Sequence, residues 1–318
     1  MNFCVFISFI LILTSSSLFA DSLRLALNGK PEPQFGGFYA AEKKGFFRDQ
    51  GLNVKIFPAP AESSAEMRSS TIQLLEKNQA EYAITSADEL ILAHDQGAKD
   101  IIAIYAAYQT SPQCIMIHAE RNLGYLEDVF KASGTLSWQP EIPSSKFLTK
   151  KYAPFKVKTA PLSNSIENFQ KDPLASQQCL APQAALTAQK TGLPMKIFRV
   201  ADNGYNPYAT VLITRSSRAR NNSLEVQKMV QATRLGWQSY LKDPTETNKL
   251  IESLNKTMDL ATFKTLAEAQ SDLINPQPQI PERLGIMETS RWETLIEELF
   301  ELKLIKSKPK ATELFQNL

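Results

Sequence analysis

Strand-like and helix-like segments alternate from Leu23 to Ala107, and this alternation limits the possible folds more than any other feature of the chain. LRLAL (Leu23–Leu27) reads as a strand, and a Pro-containing loop from Asn28 to Gln34 follows it. FGGFYAAEKKGFF then places Phe35, Phe38, Tyr39 and Phe46 at helical spacing, and Gly51 stops the helix. LNVKIF (Leu52–Phe57) alternates like a strand, Ser69 to Lys77 reads as a helix, and EYAIT (Glu81–Thr85) reads as a short strand. SADELILAHDQG opens on Ser86, an N-cap residue type with Glu89 three positions on, and ends at Gly97. DIIAIYAA (Asp100–Ala107) is the next strand. Such a βαβ order predicts a mainly parallel sheet covered by helices.

The pattern then changes twice. CIMIH (Cys114–His118) and TVLITR (Thr210–Arg215) read as strands, and the stretch between them is weaker in pattern and richer in Pro, Ser and Lys. After Arg215 the chain turns helical: SLEVQKMVQATRLGWQSYL (Ser223–Leu241) has a 3.6-residue period, and three shorter amphipathic segments follow. A chain that leaves one α/β lobe, builds a second and returns must cross between them twice. The crossings are expected near Ile117–Arg121 and Tyr208–Arg215. Lobe one would then take 22–117 and 212–318, and lobe two 118–211. Such lobe boundaries commonly form ligand clefts that hinge motion closes.

The first residues bear on the compartment. Phe3 through Leu13 is apolar, and Leu18-Phe19-Ala20 precedes Asp21. A run of about 7–15 apolar residues ending at a small residue reads as a secretory signal peptide, here 1–20. It carries no Lys or Arg, and Leu18 stands where a smaller residue is usual. Cys4 lies at the start of the run, which gives no lipid-attachment signal. With 35 Lys+Arg against 33 Asp+Glu, nothing in the charge points to nucleic acid. Past the leader only Cys114 and Cys179 remain, and they would be either a disulfide or two buried thiols. With two histidines and no CxxC, the sequence offers no metal site, and no cofactor motif is present.

The segment Pro31–Ile56 is the richest in candidate site residues. Gly36-Gly37 at a helix start would let a ligand approach free backbone N–H groups, and Phe35, Phe38 and Tyr39 would offer ring faces. The alternative is a tight turn with the aromatics in the core, where Phe38 or Tyr39 belongs in either case.

These residues carry a resemblance. FGGFYAAEKKGFFRDQGLNVKI looks like the opening of the sulfonate-binding and thiamine-pyrimidine-synthase-like superfamily of periplasmic proteins. The likeness continues in order through Glu81–Pro112, with Gln109, Ser111 and Pro112 as a Gln-x-Ser-Pro element. It runs on through GYNPYATVLITR and GIMETSRWETLIEELFELKLI. The resemblance implies a type II periplasmic-binding fold: two α/β lobes joined by a two-segment hinge. It also implies a monomeric, non-enzymatic capture component that hands its solute to an ABC transporter permease. Carried over by position, the cleft residues would be Asn28, Phe35, Gly36, Gly37, Tyr39, Ser86, Gln109, Tyr205 and Tyr208. Pyrimidine-binding relatives usually have Trp and His where Asn28 and Phe35 stand, and Glu-Pro where Ala181-Pro182 stands. The expected ligand is a small, flat, thiamine-precursor-like molecule. The alternatives are a sulfonate, a sensing role beside a membrane receptor, or a pyrimidine synthase-type enzyme.

Overall fold

The computed structural model describes residues 22–58, 71–163 and 165–318. The expected leader lies outside the described residues. Two five-stranded sheets account for the strands. The first takes β1 (Leu23–Leu27), β2 (Val54–Pro58), β3 (Tyr82–Thr85), β4 (Ile101–Tyr108) and β10 (Ala209–Arg215), in the order β2-β1-β3-β10-β4. The second takes β5 (Gln113–His118), β6 (Thr135–Trp138), β7 (Lys158–Pro161), β8 (Ala175–Leu180) and β9 (Met195–Arg199), in the order β7-β6-β8-β5-β9.

The two orders follow one plan. In each sheet the first strands are parallel, and one strand is inserted antiparallel: β10 between β3 and β4, β5 between β8 and β9. Each inserted strand is the first to follow a crossing. The expected boundaries therefore need correction. The expected cut at 117/118 falls inside β5, which hydrogen-bonds along its length to the second sheet. The cut at 211/212 falls inside β10, which belongs to the first sheet. The crossings run over 109–112 and 200–208, each a few residues earlier than the strand patterns suggested.

The strands missing from the sequence reading lie in the second sheet. β7 is an exposed edge ending in Pro161, and β8 (ASQQCL) is buried only at its start. Neither has the alternation of a half-buried strand. Cys114 and Cys179 stand opposite each other on β5 and β8, Cα atoms 5.1 Å apart, and form a disulfide.

A helix–helix contact buries much of lobe one. Helix Gly36–Lys43 packs on helix Ser223–Lys242, whose Trp237 and Tyr240 are buried. A Cβ on Gly36 would run into the Tyr240 ring, one on Gly37 into the Trp237 indole, and one on Gly236 into Ala41 and the Gly37 carbonyl. The glycines thus let two backbones approach closely under large aromatic side chains. Overpacking of this kind typically costs about 1–3 kcal/mol. Gly37→Ala should lower the free energy of unfolding by that amount, measured as a reduced midpoint in guanidinium unfolding. An unchanged midpoint would show that the contact yields without cost.

Candidate functional site

A cleft of about 930 Å³ opens between the two sheets. Its walls come from the segments that follow the carboxyl ends of parallel strands, where open α/β sheets present their loops. From lobe one come Asn28–Gln34 after β1 and Thr85–Glu89 after β3, with Tyr108 at the end of β4. From lobe two come Gln139 after β6 and Gln177 to Ala184 around the end of β8. Helix Leu260–Ile274 contributes Leu266 and Gln270.

The polar groups of the wall are held in place. Buried Gln270 accepts from the Tyr108 hydroxyl (2.6 Å) and donates from Nε2 to the Pro33 carbonyl (2.8 Å). This fixes the Tyr108 ring and the end of the β1 loop together. Burial pushes the Tyr108 phenol well above its ordinary pKa, so it stays a neutral donor. Asp88 is buried, and its carboxylate accepts from Ser86 Oγ (2.5 Å), Tyr205 Oη (2.9 Å) and the Glu89 amide (3.0 Å). Ser86 is the residue before helix Ala87–Asp95, but its hydroxyl turns to Asp88 and makes no cap bond to the backbone. The expected Ser86–Glu89 capping box is not formed. Burial pushes the Glu32 carboxyl up to about 7, partly offset by Lys30.

The two crossings are joined at the cleft floor. The Ser111 amide donates to Asn206 Oδ1 at 2.8 Å. Arg291, in helix Thr289–Glu301, donates from Nη1 to the Gln109 carbonyl (2.7 Å) and from Nη2 to the Asn206 carbonyl (2.9 Å). Its guanidinium lies 3.8 Å from the Tyr208 ring centroid. One side chain thus holds both chain crossings and stacks on a third hinge residue.

Comparison with known proteins now places the chain. The family model described as NMT1/THI5 like matches residues 32–131 and 166–247, more than half of the sequence. The chain belongs to the NMT1/THI5-like family. No curated protein matches it. Solved structures share its fold at low identity. The periplasmic aliphatic sulphonate binding protein SsuA from Escherichia coli is 11% identical, with 94% of this chain and 93% of that one covered and a TM-score of 0.69. The alkanesulfonate-binding protein SsuA from Xanthomonas axonopodis pv. citri, bound to MOPS, is 11% identical, with coverage of 93% and 98% and a TM-score of 0.62. The desulfurization enzyme DSZB is 11% identical, with coverage of 92% and 96% and a TM-score of 0.58. The fold of this NMT1/THI5-like protein is therefore the periplasmic-binding fold.

The sequence-predicted cleft residues divide sharply in this NMT1/THI5-like chain. Asn28 and Ser86 line the cleft. Phe35 and Tyr39 do not: both are buried in the lobe-one core, with Gly36 and Gly37 facing the partner helix. Gln109 folds back onto the Ala106 carbonyl at 2.8 Å and serves the crossing. Tyr205 is buried with its ring 5.5 Å from Phe147 of lobe two, and Tyr208 accepts from the Glu288 amide beneath Arg291. The expectation that Phe35, Tyr39, Tyr205 and Tyr208 line the cleft is corrected accordingly. Tyr108 is the aromatic residue among the described lining. The sequence reading missed Tyr108, Gln270, Asp88 and Arg291, although Tyr108 stands one residue beyond the strand it had marked.

The aromatic correction has a direct test. Truncating a fully buried Phe typically costs about 3–5 kcal/mol. Phe35→Ala should lose stability on that scale in chemical denaturation, whereas Asn28→Ala, at a half-buried cleft position, should stay within about 1 kcal/mol of wild type. Equal stability of the two variants would contradict the core assignment of Phe35.

Proposed function

We propose that this protein is an extracytoplasmic solute-binding protein that captures a small polar molecule and delivers it to the permease of an ABC importer. The observation that carries the reading is the cleft itself. It lies between two lobes, at the carboxyl ends of both sheets, over two chain crossings joined by Asn206 and Arg291. That is the geometry of a hinged clamp. The family and the periplasmic neighbours support the same role, and the apolar run ahead of Asp21 supports export.

Within this reading, a flat heteroaromatic solute of the thiamine-precursor type suits the lining better than a sulfonate. Tyr108 offers one ring face. Glutamines at 34, 113, 139, 177, 178 and 183 offer paired donors and acceptors for ring nitrogens and exocyclic amines. Arg is absent from the described lining. The start of helix Ala87–Asp95, where a sulfonate would find free amides, carries Asp88 and Glu89 instead, and Asp88 holds the Glu89 amide. Binding without chemistry also fits the lining. The cleft cysteine Cys179 is spent in the disulfide, and neither His94 nor His118 is among the described lining residues.

Native mass spectrometry of the protein recovered from its own periplasm tests the proposal. The expected species lacks the first 20 residues and carries one non-covalently bound small molecule that is released on denaturation. Recovery only from the cytoplasm, with the leader retained and no solute bound, would contradict it.

A further inference from the structure

We propose that the Cys114–Cys179 disulfide is a thiol-exchange site served through the cleft: an external dithiol attacks Cys179, and reduction slackens the lobe-two wall. On the solute-capture reading above, this ties the grip on solute to the redox state around the protein. Strand geometry turns the disulfide toward the cleft. Cys114 stands opposite Cys179 on the β5–β8 ladder, and Met116 stands opposite Gln177 two residues along. Residues two apart on a strand share a face, and Met116, Gln177 and Cys179 all line the cleft. Ile115 and Ile117, on the other face of β5, pack into a separate core cluster. The two cysteines differ in access. Cys114 is fully buried, whereas Cys179 is half-buried in the cleft wall. Exchange depends on which sulfur a thiolate can reach, so attack falls on Cys179.

The exchange runs in two steps. The attacking thiolate bonds to Cys179 Sγ, the Cys114–Cys179 bond breaks, and Cys114 leaves as a thiolate that takes up a proton. The second thiolate of the dithiol then bonds to the first and releases Cys179, which is protonated in turn. The dithiol is oxidised to a disulfide by two electrons, the protein disulfide is reduced by two, and two protons pass from the one to the other. A monothiol stalls at the first step. The ladder holds Cys114 opposite Cys179, Cα atoms 5.1 Å apart, where its thiolate re-forms the bond. The register shows what the bond restrains. The ladder from β8 to β6 ends at Gln177, and beyond it the backbone of β8 pairs with β5 alone. The disulfide ties the strand at this one-sided end, where Gln178, Cys179 and Leu180 line the cleft. Reduction leaves that end to a single ladder, and a segment with fewer restraints opens locally more often.

Reduction of the folded protein, followed by alkylation and peptide mapping, tests the inference. No solute enters the experiment, so it succeeds or fails independently of the capture reading. Dithiothreitol at pH 8 should reduce the pair at a rate proportional to its concentration and unchanged by urea below the unfolding transition. Glutathione at the same thiol concentration should leave the pair about tenfold less reduced. In the Cys114→Ser variant, Cys179 should alkylate about a hundredfold faster than Cys114 does in Cys179→Ser. Amide hydrogen exchange at 178–180 should rise about tenfold in the reduced protein, with β10 unchanged. A reduction rate that climbs steeply with urea would overturn the proposal, because the thiols would then meet only in the unfolded chain. Equal alkylation of the two lone cysteines in folded variants would overturn it as well, as would unchanged exchange at 178–180. If either variant does not fold, the urea series on the wild-type protein decides access alone.

Discussion

Two strands run against the direction of their sheets, and the working parts of the molecule follow from that. β5 and β10 are each the first strand after a crossing, and each is inserted antiparallel into the sheet it enters. That insertion brings the crossing segments 109–112 and 200–208 side by side, close enough for the Ser111 amide to reach Asn206 Oδ1. Arg291 then bonds the carbonyls of Gln109 and Asn206 from a helix of lobe one. Backbone carbonyls at crossings have no ladder partner, and leaving them unpaired would be costly. The guanidinium meets that need for both segments at once.

The cleft inherits its chemistry from the same arrangement. Because the parallel strands of both sheets direct their carboxyl ends toward it, its wall combines strand ends with the loops and helix starts that follow them. Helix starts favour acidic side chains, which accounts for Asp88 and Glu89 on that wall. The aromatic mass of lobe one lies elsewhere, between helices Gly36–Lys43 and Ser223–Lys242, where Phe38 meets Trp237 edge to face at 5.9 Å. Contacts between the lobes lie outside the hinge as well. Thr265 Oγ1 donates to Gln189 Oε1 at 2.6 Å, and Lys150 pairs with Glu301 at 2.7 Å on a half-exposed surface. The latter is worth little in water, about 0–1 kcal/mol, so a clamp can exchange it cheaply.

Much of lobe one was legible in the sequence because its strands are buried on both faces or alternate cleanly with helices; all eight residues of β4 are buried. Lobe two was less legible. β8 brings Gln177, Gln178, Cys179 and its last residue Leu180 to the cleft, and a strand that lines a wet cleft loses the apolar signature of a strand. The disulfide depended on the β5–β8 register, which spacing alone does not contain. Phe35-Gly36-Gly37 misled for a related reason. An aromatic beside two glycines has the same pattern whether a ligand or another helix approaches. What decides between them here is Trp237 and Tyr240, far along the chain. Arg291 stands in the first turns of an amphipathic helix, where a cation ordinarily marks a solvated face, and only the tertiary fold gives it two carbonyls.

The central claim is a clamp that closes about the two crossings. The direct measurement is the interlobe distance by double electron–electron resonance. Spin labels would be carried at Lys55 on the outer strand of one sheet and Lys158 on the outer strand of the other, both exposed. The account predicts that the distance shifts when the solute released from the native protein is returned. It further predicts that Arg291→Ala broadens the distribution in the absence of solute. One narrow distance, the same with and without solute and in the variant, would contradict it.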